Sequence, residues 1–214
     1  MIEFKDVVLK SNNLESINFK ILKGEMVVLD GKSGAGKSSI LNILSLLLRV
    51  DSGEVFFNGE NILSYLDYHA SEFRSQVLGY APQDATLFDE LSVKENLLVP
   101  LVIKDFSKDE IEQKIDRALK MINIDYKKQQ SLKSLSAGEK QRVLIARAIV
   151  DERDMVLFDE PTSNLDDVNA LRFAELLSVL KKQGKTVLIA THDARVVNLD
   201  MVDKILHLRD GKIE

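Results

Sequence analysis

An α/β fold is predicted for this chain, with a sheet-based core and a helical lobe set into it. Three observations carry that prediction. Two continuous apolar runs, Met155-Val156-Leu157-Phe158 and Val187-Leu188-Ile189-Ala190, read as parallel strands covered on both faces. A helical pattern from about Asp167 to Gln183 separates them, and strand, helix, strand of that length implies a right-handed crossover. Between about Asp84 and Asp151 the apolar period becomes helical.

Taken in order, Ile2–Leu9 and Leu14–Ile21 read as strands, and Gly24 punctuates before a third strand over Glu25–Asp30. Val55-Phe56-Phe57, Asn58-Gly59 and Glu60-Asn61-Ile62 form a hairpin signal, with Asn-Gly suited to a type I′ turn. In the helical lobe, Ile111, Ile115, Leu119 and Ile122 recur at helical spacing behind the capping-box pattern Ser107-Lys108-Asp109-Glu110. The helix after Asp167 carries Val168, Leu171, Leu177 and Leu180, and Lys204–Arg209 reads as a last strand before a turn at Asp210-Gly211.

The chain's 214 residues, 45% of them hydrophobic, suit one globular domain with a sizeable core. A net charge of −5, with acids and bases mixed, argues against polyanion binding, so no nucleic-acid partner is expected. The absence of cysteine excludes disulfides and thiolate metal sites and suits a reducing compartment. The first residues lack the basic and apolar regions of a signal peptide, and the longest apolar stretch, Leu97 to Ile103, is short and broken by Pro100. A soluble, cytosolic protein is expected, reaching a membrane only through a partner.

The chemistry begins at Gly31-Lys32-Ser33-Gly34-Ala35-Gly36-Lys37-Ser38, between the apolar run Met26–Leu29 and the helical Ile40–Leu44. This is the phosphate-binding pattern G-x-x-x-x-G-K-[ST] in its strand–loop–helix frame. Glycines let consecutive N–H groups curl around one anion, and the helix start adds its unpaired N–H groups and positive dipole end. Lys37 can reach the β and γ phosphates, and the Ser38 hydroxyl is placed for Mg²⁺.

Asp159 and Glu160 follow a buried strand, at the carboxyl edge where open α/β sheets bind ligands. Asp159 suits a Mg²⁺ site and Glu160 suits activation of water; a solvated acidic turn is the alternative. Ser136-Ala137-Gly138-Glu139 is a capping box ahead of an apolar helix, and spacing alone does not decide whether that helix start also meets a phosphate. The same pattern recurs at Ser92–Glu95 with no such role attached. His192 ends the strand Val187–Ala190 and is either structural or a γ-phosphate contact; Gln83, alone, says nothing.

In this order the pieces resemble the ATP-binding subunit of ABC transporters over essentially the whole chain. Gly31–Ser38 is similar to the Walker A loop, and Met155–Glu160 to Walker B. Leu135–Glu139 resembles the signature LSGGQ, Gln83 the lid glutamine, Ser163–Asp166 the D-loop, and Thr191-His192-Asp193 the switch-histidine segment. The run Leu78–Gln83, Leu87 and Glu95–Leu101 leans toward the lipoprotein-release and macrolide-export subunits, with the cell-division ABC ATPase as a relative.

The resemblance implies a P-loop NTPase (RecA-like) core with a mainly parallel sheet, an N-terminal antiparallel β subdomain and an inserted α-helical subdomain. The core would span about 1–83 and 152–214, and the helical subdomain about 84–151. It implies Mg²⁺-dependent ATP hydrolysis with Glu160, His192 and Lys37 as the catalytic residues. Gly31 to Ser39 and Gln83 would bind nucleotide, with Ser136, Ala137, Gly138 and Glu139 serving the second subunit of an ATP-dependent homodimer. Ser38, Gln83 and Asp159 would hold the metal. An integral-membrane permease at the inner face of the cell membrane would be the other partner, met through Gln83–Phe88 with Leu87 and Phe88 as docking residues or as packing under the lobe.

Two departures matter. Ala137 replaces the first signature glycine while Gly138 remains. The loop Ser11-Asn12-Asn13 lacks the aromatic ring that family members stack on adenine, so weak purine discrimination is expected. The alternative function is a mechanical or signalling ABC ATPase without transported substrate. An ABC protein acting on ribosomes or DNA would carry tandem cassettes or a long coiled coil, which this sequence does not contain.

Overall fold

The computed structural model describes residues 1–83 and 87–214. The chain runs β1 (Ile2–Leu9), β2 (Leu14–Ile21), β3 (Met26–Asp30), α1 (Lys37–Leu44), β4 (Ser52–Phe57), β5 (Glu60–Asn61), α2 (Asp67–Val77) and β6 (Leu78–Ala81). Then come α3 (Val93–Leu98), α4 (Lys108–Met121), α5 (Ala137–Ile149), β7 (Met155–Asp159), α6 (Asp167–Lys182), β8 (Thr186–Ala190), α7 (Ala194–Val197), β9 (Lys204–Arg209) and β10 (Lys212–Ile213).

A six-stranded sheet has the order β10-β9-β3-β8-β7-β6, with β9, β3, β8, β7 and β6 parallel and β10 antiparallel at the edge. The order β2-β1-β4-β5 makes a second, antiparallel sheet. Its hairpin turns at Asn58 and Gly59, both with positive φ (51° and 90°), as the type I′ turn requires.

Side chains alternate across a strand, so each parallel strand feeds two cores. Met26, Val28, Val156, Phe158, Val187 and Ile189 pack with α3, α4, α5 and α6. Val27, Leu29, Met155, Leu157, Leu188 and Ala190 pack with α1 and the antiparallel sheet. Burial on both faces explains why these strands read as unbroken apolar runs. Each fully buried side chain of this size is worth about 1.5–3 kcal/mol.

The three capping boxes form as the sequence indicates, at Ser92/Glu95, Ser107/Glu110 and Ser136/Glu139. In α4, Ile115 and Leu119 are buried, as is Ile122 just beyond, with Ile111 packed beside them. Helix α6 forms where the sequence places it, and its apolar residues divide between core and surface. Leu177 and Leu180 are buried with Ala170, Phe173 and Leu176, whereas Val168 and Leu171 are 67% and 63% exposed. Phe173 packs edge-on against Phe158 with centroids 5.1 Å apart, on the same buried stripe as Ala170, Leu176, Leu177 and Leu180.

Leu87 belongs to the helical core, so of the two docking candidates only Phe88, 49% exposed, faces outward. Asp84, Ala85 and Thr86 lie outside the described residues. No helix of the described residues is long and apolar enough to cross a membrane.

Candidate functional site

Strand order does the assembling. Four adjacent parallel strands, β3, β8, β7 and β6, end at one edge of the sheet. Past those ends come Gly31, Thr191, Glu160 and Pro82, and neighbouring strands lie about 4.8 Å apart. Register then aligns them: Asp159 pairs with Ala190, and Leu29 with Ala190 on the other side.

The loop after β3 curls as its glycines demand. Gly36, the N-cap of α1, has φ 102°, and a Cβ there would sit 2.6 Å from the Leu14 side chain. Lys37 opens the helix with its side chain only 5% exposed. Its Nζ donates to the Gly31 carbonyl at 2.7 Å and the Lys32 carbonyl at 3.2 Å, and lies 3.2 Å from Oε1 of Glu160.

Glu160 turns off the end of β7 with φ 45°, a left-handed conformation that costs an ordinary residue about 1 kcal/mol or more. The turn aims its carboxylate back over the sheet edge, and its N–H is held by the Ala190 carbonyl at 2.8 Å. The Thr191 hydroxyl donates to Oε2 at 3.1 Å, and Nδ1 of His192 lies 3.0 Å from Oε1.

Asp159 is buried behind it. Burial pushes its carboxyl above the ordinary range; hydrogen bonds from the Ser38 side chain and the Gln83 main chain, and the charge of Lys37, pull the other way. One oxygen, Oδ1, is buried without a hydrogen-bond partner. An orphaned carboxylate oxygen beside a serine hydroxyl fits a hard cation, which takes oxygen ligands. Beside it, burial and the Asp159 charge raise the Tyr80 phenol, which stays protonated and donates to Oδ1 of Asn42 at 3.0 Å.

A cavity of about 330 Å³ opens over these groups, lined by Asn12, Ser33, Gly34, Gly36, Lys37, Ser38, Ser39, Gln83, Glu160, Ser163 and His192. The Lys37 side chain, the first residues of α1 and the Glu160 carboxylate all line it. Such a site can grip a polyphosphate and direct water at its end.

A family model described as ABC transporter matches residues 14–163. The chain belongs to the ABC transporter ATP-binding family. Among its relatives is the uncharacterized ABC transporter ATP-binding protein YknY of Bacillus subtilis, 36% identical over 94% of this chain and 86% of the relative. The lipoprotein-releasing system ATP-binding protein LolD of Porphyromonas gingivalis is also 36% identical, over 92% of this chain and 90% of the relative. The macrolide export ATP-binding/permease protein MacB of Pasteurella multocida is 34% identical over 100% of this chain but only 34% of its own length. These relatives include the lipoprotein-release and macrolide-export kinds to which the sequence pointed.

Among solved structures, the dimeric structure of MJ0796, described as a bacterial ABC transporter cassette, superposes with a TM-score of 0.93 at 31% identity, covering 100% of this chain and 97% of that one. A post-hydrolysis state of MJ0796 bound to ADP and Pi also gives a TM-score of 0.93, at 30% identity, over 100% of this chain and 97% of that one. The protein is an ABC-type ATPase with the P-loop NTPase fold expected from its motifs.

In this cassette Ser136, Ala137, Gly138 and Glu139 do not line the cavity that holds Lys37 and Glu160. The structure gives Gly138 a reason that spacing did not: a Cβ there would lie 2.7 Å from the Asn164 carbonyl. Glu139 closes its capping box on Ser136, and those bonds hold its carboxyl below the usual range. Sequence reasoning assigned no role to Thr191 or Tyr80. Thr191 adjoins His192, but only the β7–β8 register shows that it meets Glu160.

Proposed function

We propose that the chain hydrolyses ATP as one half of an ATP-dependent homodimer that drives an integral-membrane permease from the cytoplasmic face. The observation that carries this reading is the convergence of Lys37, Glu160 and His192, from three strand ends, on one cavity, with Asp159 buried beside Ser38 and Glu160. Lys37, Ser39 and the N–H groups of Gly31 to Ser38 would cradle the phosphates. Ser38, Asp159 and the Gln83 side chain would hold Mg²⁺, which would neutralise phosphate charge. Glu160 would orient water in line with the γ-phosphorus, accepting its proton as the bond to the ADP oxygen breaks. His192, held by Glu160, faces the same end. Catalysis of this kind is mainly positioning and electrostatic stabilisation.

Two observations support the dimer. Ser136–Glu139 stand apart from the chain's own cavity, free to serve a second copy, and the similar MJ0796 cassette is described as dimeric. Support for the permease comes from the relative whose name joins ATP-binding and permease functions. Phe88 is the exposed candidate for that contact. The test is Glu160→Gln: ATP still binds, steady-state phosphate release falls by about a thousandfold, and ATP shifts gel filtration to a dimer. Full turnover in this variant would overturn the assignment, and monomer under all conditions would overturn the dimer.

A further inference from the structure

We propose that Arg195 is a positioning residue for hydrolysis, locking the segment that carries His192 onto the turn that follows Glu160; this rests on the catalytic assignments above. The geometry is a closed circuit. Asp193 caps the short helix α7 and accepts from the Arg195 main-chain N–H at 2.9 Å. The guanidinium grips the same carboxylate: Nε lies 3.0 Å from both oxygens and Nη2 donates to Oδ2 at 2.7 Å. Thr162, two residues beyond Glu160, donates its hydroxyl to Oδ2 at 2.6 Å. The Asp193 N–H donates to Oγ1 of Thr191 at 3.1 Å, and that hydroxyl donates to Glu160 at 3.1 Å. Glu160, Thr191, Asp193 and Thr162 thus form one ring of contacts, and Arg195 charges its keystone.

The guanidinium also reaches out of the ring. Its Nη1 donates to Oδ1 of Asp167 at 2.7 Å, at the first turn of α6. The chain from Glu160 to Asp167 is therefore tied at both ends to the strand end that bears His192. Between the ties lies Asn164, whose carbonyl abuts Gly138 of the signature helix. A cavity of about 390 Å³ runs along this turn, lined by Glu160, Thr162, Ser163, Leu165, His192, Asp193, Ala194 and Arg195. Among those residues Arg195 is the lone Lys or Arg, and it faces two carboxylates.

Charge gives the arrangement a purpose. Without Arg195, Asp193, whose main-chain N–H is linked to Glu160 through the Thr191 hydroxyl, would carry an uncompensated carboxylate near the site, opposing the negative charge that gathers on a transferred phosphoryl group. The forked guanidinium both cancels that charge and holds the carboxylate plane, which a lysine ammonium does only in part. Arg195 touches neither the phosphate loop nor Glu160 directly, so nucleotide binding has no reason to depend on it.

The experiment compares Arg195→Ala, Arg195→Lys and Glu160→Gln with the wild type in kcat, nucleotide affinity and thermal midpoint. Expected for Arg195→Ala is about a tenfold loss of kcat, with nucleotide affinity unchanged and the thermal midpoint lowered by only a few degrees, and partial recovery of kcat in Arg195→Lys. A kcat within about twofold of wild type overturns the proposal. So does a kcat loss matched by losses of affinity and midpoint, or an alanine variant equal to the lysine one. Glu160→Gln separates the two readings: if it keeps full turnover the catalytic assignment fails, and if it loses turnover while Arg195→Ala does not, only the latch fails.

Discussion

Lys37 Nζ stands 3.2 Å from Glu160 Oε1, with both side chains almost wholly withdrawn from solvent at 5% and 10% exposure. The same ammonium is held by two carbonyls of its own loop. The lysine that a triphosphate would recruit is thus paired with the carboxylate that would act on it. On the proposed function, an entering phosphate would take the place of those acceptors and free Glu160 for water.

Two opposite effects on affinity follow from that pairing. Lys37→Ala removes the cation and leaves Glu160 facing the phosphate, so affinity for ATP is expected to fall by about a hundredfold, roughly 2.7 kcal/mol. Glu160→Gln removes a competing charge, so affinity is expected to rise about fivefold, near 1 kcal/mol. Titration with a fluorescent ATP analogue measures both, and equal affinities in the wild type and Lys37→Ala would dismiss the site.

Purine choice should be weak. The turn Lys10–Asn12 brings Asn12, rather than a ring, to the rim of the phosphate cavity. Loss of one stacking partner is worth about 1 kcal/mol. GTP is expected to compete within about tenfold of ATP, and Asn12→Tyr to favour ATP by a further fivefold or so. A hundredfold preference for ATP in the wild type would refute this.

Asn96 is a structural key. It is fully buried, its Oδ1 accepts from the Phe88 N–H at 2.9 Å, and its Nδ2 donates to the carbonyls of Phe88 at 3.1 Å and Ser92 at 3.0 Å. Asn96→Ala strands these groups and should cost about 2–4 kcal/mol in urea unfolding. A change below about 0.5 kcal/mol would show that Phe88 is not held this way.

Acid should dissolve the Asp193 contacts late. Hydrogen bonds from Arg195, then Thr162, outweigh burial and hold its carboxyl down from 3.8 to about 2. A depressed carboxylate stabilises the fold above its unfolded value and loses that contribution as pH falls through the folded one. Asp193→Asn should therefore melt below the wild type at pH 7, with the gap closing between about pH 4 and pH 2. A gap that stays constant over that interval would remove the carboxylate's charge from the account.

Contiguous patterns were legible in the residues. The loop Gly31–Ser38, the capping boxes, the Asn58–Gly59 turn and the two-faced apolar strands each depend on neighbours within a few positions, so sequence carries them. Helix α6 shows the limit: its existence was legible, but which apolar residues face the core was not, and packing on the sheet buries Phe173 and Leu177 while leaving Val168 and Leu171 outside. Leu87 and Phe88, adjacent and both apolar, parted in the same way, one into the core and one to the surface.

Residues alone settled what could bind a phosphate and which side chains had the chemistry to act on it. Folding in three dimensions settled their meeting, because the order of strands β3, β8 and β7 brings Lys37, His192 and Glu160 together across more than a hundred positions of chain. Crossover packing sets that order, and no local preference encodes it. The same cause hid Arg195 and the Gly138–Asn164 approach, where partners far apart in the chain become neighbours only once the sheet is built.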